Sequence, residues 1–263
     1  MGKDEGIESM PKFGEQQITC ISDLISMLKA ETSPSETAWF RGHSDISWSL
    51  EPSINRQSYT DVFESGIRLY KKFVQNSVKL ISNPPREEYE WLFFMQHYGI
   101  PTHLMDWTES PLIGLFFAVE DKSKHNVDGA LYILEPTSFN DDAGHTIIGQ
   151  KDIFAFGIDE ITDSYLLTKI NATNKQAKQP PMAVIGSKNS ARIQAQEGVF
   201  IAHHRDLKWM ENNFQASNWG WRHKIPASAK ANIFDELRYL MMDYFTVYPQ
   251  LDNLAKKIKE STK

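Results

Sequence analysis

The sequence predicts an α+β fold: a single domain with a central, mostly antiparallel sheet flanked by helices. Two patterns lead there. Short apolar runs at 38–41, 131–134, 182–185 and 199–202 read as strands, each set off by Gly, Pro or polar residues. Between them lie segments whose apolar residues recur at three- and four-residue steps, the mark of helices with one buried face. A chain of 263 residues can form one large domain or two small ones, and 41% apolar content with 7 Trp and 15 Phe is ample core material.

Residues 1–17 lack periodicity and are expected to be a mobile tail ahead of a domain over 18–263. Ile21, Leu24, Ile25 and Leu28 then give a first helix, with Thr19 or Ser22 as its cap. The aromatic strand Ala38–Arg41 ends at Gly42. Phe63, Ile67, Tyr70 and Val78 mark a longer helix over 61–80, with Lys71, Lys72 and Lys79 on its wet side. Trp91, Leu92, Phe94 and Met95 predict another over 86–98. Gly99 suits the left-handed position that ends it, and Pro101 forbids its continuation. Ser110 is placed to cap a further helix with Pro111 at its first position, and the nearly all-apolar run Leu112–Val119 implies that this helix is buried.

Between these two helices the spacing predicts a short polar connection carrying His97, His103, Asp106, Trp107 and Thr108. Buried hydrogen-bonding groups need partners, so this connection meets either the rest of the fold or a ligand. The plainer alternative makes Asp106 a turn tie and Trp107 a core anchor. Further on, Leu131–Leu134 and Met182–Ile185 read as strands, and 137–170 carries two apolar islands, 152–158 and 163–170. In 191–202, Ile193, Ala195 and Glu197 alternate with Gln194, Gln196 and Gly198 before a more apolar strand, which places Gln194 and Gln196 on one face. They are either pocket residues or amides satisfied at the surface or within the sheet. A helix from Asn232 to Met242 and a short amphipathic one close the chain.

Several functions are disfavoured. With 28 basic and 34 acidic residues the net charge is −6, so no general electrostatic grip on nucleic acid is expected. Cys20 is the lone cysteine, which excludes an internal disulfide and a multi-cysteine metal site. His203-His204-Arg205 would point to alternate faces of a strand and so would not share a metal. No apolar run reaches the length of about 18 residues that a membrane span needs, and the polar N-terminal stretch has no signal core, so a cytoplasmic location is expected. Serine-hydrolase, P-loop, GxGxxG and HExxH motifs are missing as well.

What remains is a set of separated polar stations. Arg41 ends an apolar strand beside Gly42, which lets a ligand approach the backbone, and a guanidinium there suits an anion. The alternative is an Arg paired with Glu51 or Asp106.

Four pieces of the chain make it recognisable. They are AWFRGHSDISWSLEPSI with its Phe40-Arg41-Gly42 tripeptide, PTHLMDWTESPLIGLFFAV, ARIQAQEGVFIAH, and the C-terminal stretch beginning at Ile225. In this order they resemble the FRG domain family, and their spread from about 38 to 257 argues for one domain. The chain departs from that pattern at His103, where the family usually carries Arg. The spacing of Arg41, the 103–108 stretch and the 192–197 stretch is also similar to ADP-ribosyltransferases. That resemblance implies Arg41, Gln196 and Glu197 as catalytic residues, and Arg41, Gly42, His103, Asp106, Trp107, Thr108, Arg192 and Gln194 as the lining of a pocket for NAD or another nucleotide. NAD would be a substrate, and the resemblance points to no certain cofactor and no metal ligands. A Gln at 196 cannot supply negative charge, so Glu197 would have to. The family resemblance adds a toxin or phage-defence setting. A non-catalytic nucleotide or phosphorylated-ligand module is the alternative, and a protein-binding surface built on Trp209, Trp219 and Trp221 is a third reading.

Overall fold

The structure is a computed structural model, and it describes residues 13–32, 37–146 and 152–262. In chain order the strands are β1 Phe13–Gln17, β2 Trp39–His43, β3 Leu104–Thr108, β4 Gly129–Leu134, β5 Phe154–Ala155, β6 Met182–Ile185, β7 Gly198–Ala202 and β8 Gly220–Ile225. The helices are α1 Ile21–Glu31, α2 Val62–Ser77, α3 Glu88–His97, α4 Pro111–Val119, α5 Pro136–Asp142, α6 Leu167–Ala172, α7 Ala191–Ala195, α8 Trp209–Asn213, α9 Ala227–Tyr239, α10 Tyr244–Val247 and α11 Leu251–Ser261.

All strands join one sheet in the order β1-β8-β4-β2-β3-β7-β6-β5. The β1–β8 and β5–β6 pairs are parallel and the other five antiparallel, as the α+β reading expects. The sheet is weakest at its middle. β2 runs beside β4 over five registered pairs, and β3 beside β7 over five, but β2 and β3 share only Phe40 with Thr108. Beyond that bridge the two central strands part, leaving a fork.

Three apolar clusters surround it. On one face α4 and α9 cover the β2-β4-β8 half through Leu115, Phe116, Ile233 and Leu237. On the same face α2, α3 and α6 cover the β3-β7-β6 half through Phe63, Leu92, Phe93 and Ile170. The third cluster, with Trp39, Met105, Trp107 and Trp219, seals the opposite face across both halves. A pleated strand sends successive side chains to opposite faces, so Phe40 joins the first cluster and Trp39 the third. Gly42 is required because a methyl there would run into the Gly114 carbonyl and the Ala118 amide of α4. α4 therefore lies directly on β2, beside the fork.

Local chemistry fixes the ends of the helices around the fork. Gly99 takes φ +75° after α3, and the Ser110 side chain accepts the Ile113 amide at 3.4 Å with Pro111 at the first helical position. Other expectations need correction. The 97–108 connection contains the strand β3, because 104–108 alternates and finds a five-pair partner in β7. Residues 191–195 form helix α7, capped by Ser190, and only 198–202 is strand. The C-terminal helix begins at Ala227, after Pro226, and not at Asn232. Phe13–Gln17 is a strand paired with β8, so the sheet starts within the stretch read as a tail, while residues 1–12 lie outside the described ones. Trp219 and Trp209 stack within the third cluster and Trp221 packs against the first, so these three rings do not form an aromatic binding surface.

Candidate functional site

A cavity of about 320 Å³ opens at the fork, walled by α3, α4 and α7. It is within the range of small-molecule sites. Arg41, Gly42, Asp106, Trp107, Thr108, Arg192 and Gln196 all line it, so three stretches far apart in sequence converge on one hollow.

Arg41 lies across the gap between the parted strands. Its Nη1 donates to the Asp106 carbonyl at 2.5 Å, and its Nε donates to His43 Nε2 at 3.1 Å. Burial, reinforced by Arg41 and Arg56, holds His43 well below the usual imidazole range, so it is neutral. Because Nε2 accepts from Arg41, the proton of this neutral ring belongs on Nδ1. Burial also lowers Arg41 to about 10, with Asp106 opposing the change, and the guanidinium remains a cation at neutral pH. The structural alternative foreseen for Arg41 is met only at the Asp106 backbone, since no carboxylate hydrogen bond to its guanidinium is formed among the described residues.

Asp106 forms the pocket floor. Its carboxylate is open to the cavity yet enclosed by protein, and this enclosure pushes its pKa up against the pull of Arg41, Arg192 and the Gln96 hydrogen bond. Gln96 Nε2 bridges Asp106 Oδ1 at 3.1 Å and the Leu104 carbonyl at 3.2 Å, which orients the acid. Thr108 Oγ1 donates to the Gln196 carbonyl at 2.6 Å, tying β3 to the end of α7.

Arg192 leans over the Tyr248 ring, 4.9 Å from its centroid, and donates to the His97 carbonyl at 3.3 Å. Such a cation on an aromatic face is attractive. The rings of Trp48, Phe93 and Phe117 supply flat apolar wall, with Phe93 stacked on Phe200 at 4.0 Å.

Three of the sequence candidates lie elsewhere. His103 is fully buried outside the cavity, its Nε2 donating to the Tyr165 carbonyl at 2.8 Å, because it precedes β3 and packs under α2 beside Phe63. Gln194 sits on the exposed side of α7. Glu197, at φ +44° in the turn before β7, points out to an ion pair with Lys188, which also binds Glu109 at 3.1 Å. The cavity instead holds an acid that sequence reasoning missed, Glu120 at the end of α4. Burial pushes it up to about 7 despite the Tyr248 hydrogen bond and Arg192. The one local hint was an acid set directly against a long apolar run. No group of three or more His, Cys, Asp or Glu side chains placed to hold a metal occurs among the described residues.

Residues 36–127 match the family model of the FRG domain. Over those residues the chain is similar to the FRG domain. That match covers β2, β3 and α4, and so takes in Arg41, Gly42, Asp106 and Glu120. Arg192 and Gln196, which also line the pocket, come from beyond the matched stretch. No curated protein and no solved structure matches the chain. No helix among the described residues is long and apolar enough to cross a membrane.

Proposed function

We propose that the fork pocket binds a nucleotide and acts on it at the glycosidic bond, making the chain an ADP-ribosyltransferase-like transferase or NAD hydrolase. One observation carries this reading: a guanidinium anchored by the Asp106 carbonyl shares a ring-walled cavity with the Asp106 carboxyl. An Arg fork fits the oxygens of a diphosphate. Aromatic walls such as Phe93 and Phe117 take a flat ring. A carboxylate oriented by Gln96 can stabilise positive charge that develops on a ribose carbon.

A second reading, a non-catalytic nucleotide sensor, is favoured by one feature. The late segment gives the cavity Gln196, while Glu197 faces solvent. An amide orients a ribose hydroxyl but supplies no negative charge.

Incubation of the full chain with NAD, followed by mass spectrometry for nicotinamide and ADP-ribose adducts, separates the two. Turnover that falls at least tenfold in Arg41→Ala supports the enzyme. Saturable binding without turnover supports the sensor, and neither binding nor turnover with NAD, ADP-ribose or ATP rejects both.

A further inference from the structure

Glu120, which lines the pocket at the end of α4, is braced from the far end of the chain. The Tyr244 hydroxyl donates to the Glu120 carbonyl at 2.6 Å, and the Tyr248 hydroxyl donates to Glu120 Oε1 at 2.8 Å. Gln196 Nε2 donates to the Val247 carbonyl at 3.2 Å, so α10 is fastened to α4 and α7 together. One oxygen of the Glu120 carboxyl is thus fixed and the other is left without a hydrogen bond among the described residues, on a side chain that lines the cavity. The charged or titratable groups around it are Asp121 next in the chain, Arg192 from α7, Tyr244 and Tyr248 from the C-terminal segment, and Asp106 and Arg41 across the floor.

Building on the nucleotide reading, we propose that Glu120 is the proton carrier of this pocket and that Tyr248 is the residue that positions it. The acceptor, water or a hydroxyl, forms its bond to the ribose carbon as the bond to the nicotinamide nitrogen breaks. The electron pair of that bond leaves with the ring. The acceptor's proton passes to Glu120 and then to solvent. Enclosure pushes the Glu120 carboxyl up to about 7, close to the value at which a base both holds its ionised form and accepts a proton readily.

This role differs from a structural one in what each variant moves. Tyr248→Phe keeps the ring under Arg192 but removes the O–H that favours ionised Glu120. Its Glu120 midpoint must therefore rise.

The test uses the full chain labelled with ¹³C-glutamate, with Glu120→Gln to assign the resonance, and NAD turnover followed against pH. The expected result is a Glu120 titration near neutrality that moves to higher pH in Tyr248→Phe. Turnover should rise through the same pH range, shift with it in Tyr248→Phe, and fall by about 10²–10⁴-fold with a flattened profile in Glu120→Gln. Turnover that survives Glu120→Gln with its pH profile unchanged overturns the proposal and leaves the nucleotide reading standing. A wild type that does not turn over NAD overturns the enzyme reading and the proton-carrier role together.

Discussion

Two groups of polar side chains sit in apolar surroundings in this molecule, and they are treated in opposite ways. At the fork, Arg41, Asp106, Glu120 and Arg192 all line a cavity. Behind α2, His103 and His203 are wholly buried, and their burial lowers them to about 4 and about 3. His103 has one hydrogen bond, to the Tyr165 carbonyl, and neither ring nitrogen of His203 has a well-formed one. Polar content alone therefore does not mark a site. The fork cluster is the candidate site because two strands part there and leave a cavity, while the histidines are neutral packing.

The contrast can be broken most forcefully with pH. Unfolded imidazoles titrate near 6.5, whereas folded His103 and His203 do so near 4 and 3. Between those values the unfolded chain binds more protons, so stability rises with pH across the window and is lost as pH falls below about 6.5. At pH 5 each histidine should cost roughly 2 kcal/mol relative to pH 7. Urea denaturation across pH 4.5–7 checks this. His203→Leu should remove its share of the slope at little cost at pH 7, and a slope identical to wild type contradicts the assignment.

Glu120 pulls the other way. Its folded value, about 7, lies above the ordinary 4.5, so the folded chain holds the extra proton between them and stability falls as pH rises through that interval. Glu120→Gln should stabilise the protein by roughly 2–3 kcal/mol at pH 8 and by little at pH 5, read in the same denaturation series. A gain equal at both pH values would place Glu120 in an ordinary environment and dissolve the contrast.

The smallest effect belongs to the acid that lies outside the site. Lys188 joins Glu197 and Glu109 on the surface, so Lys188→Ala should cost about 1 kcal/mol or less and leave ADP-ribose affinity unchanged by calorimetry. A tenfold loss of affinity would bring Glu197 back into the site.

What the sequence made legible was local. Gly99 and the Ser110-Pro111 start depend on residues within one turn of each other, and both behave as their chemistry dictates. The 104–108 strand was hidden because five residues between two helices give a weak period, and its partner β7 lies about ninety positions on. The 191–197 segment misled for a related reason. Its alternation over 193–198 mimics a strand, while Ser190 caps a single helical turn that delivers Arg192 and Gln196 to the cavity and turns Gln194 out. Neighbours read as one cluster also part company, because Asp106 lies within β3 and faces the cavity while His103 precedes the strand and is buried under α2. Glu120 left no local sign beyond an acid set against an apolar run, because the hydroxyl that holds it comes from Tyr248.

The central claim is that a guanidinium in the split sheet grips the phosphates of a nucleotide, and calorimetric titration of the full chain with ADP-ribose measures it directly. Arg41→Ala is compared with Arg205→Ala, whose guanidinium is held by the Ile170 carbonyl and does not line the pocket. The account predicts one saturable site that weakens about 10–100-fold in Arg41→Ala and is unchanged in Arg205→Ala. Equal affinity in the wild type and Arg41→Ala, or no binding at all, would contradict it.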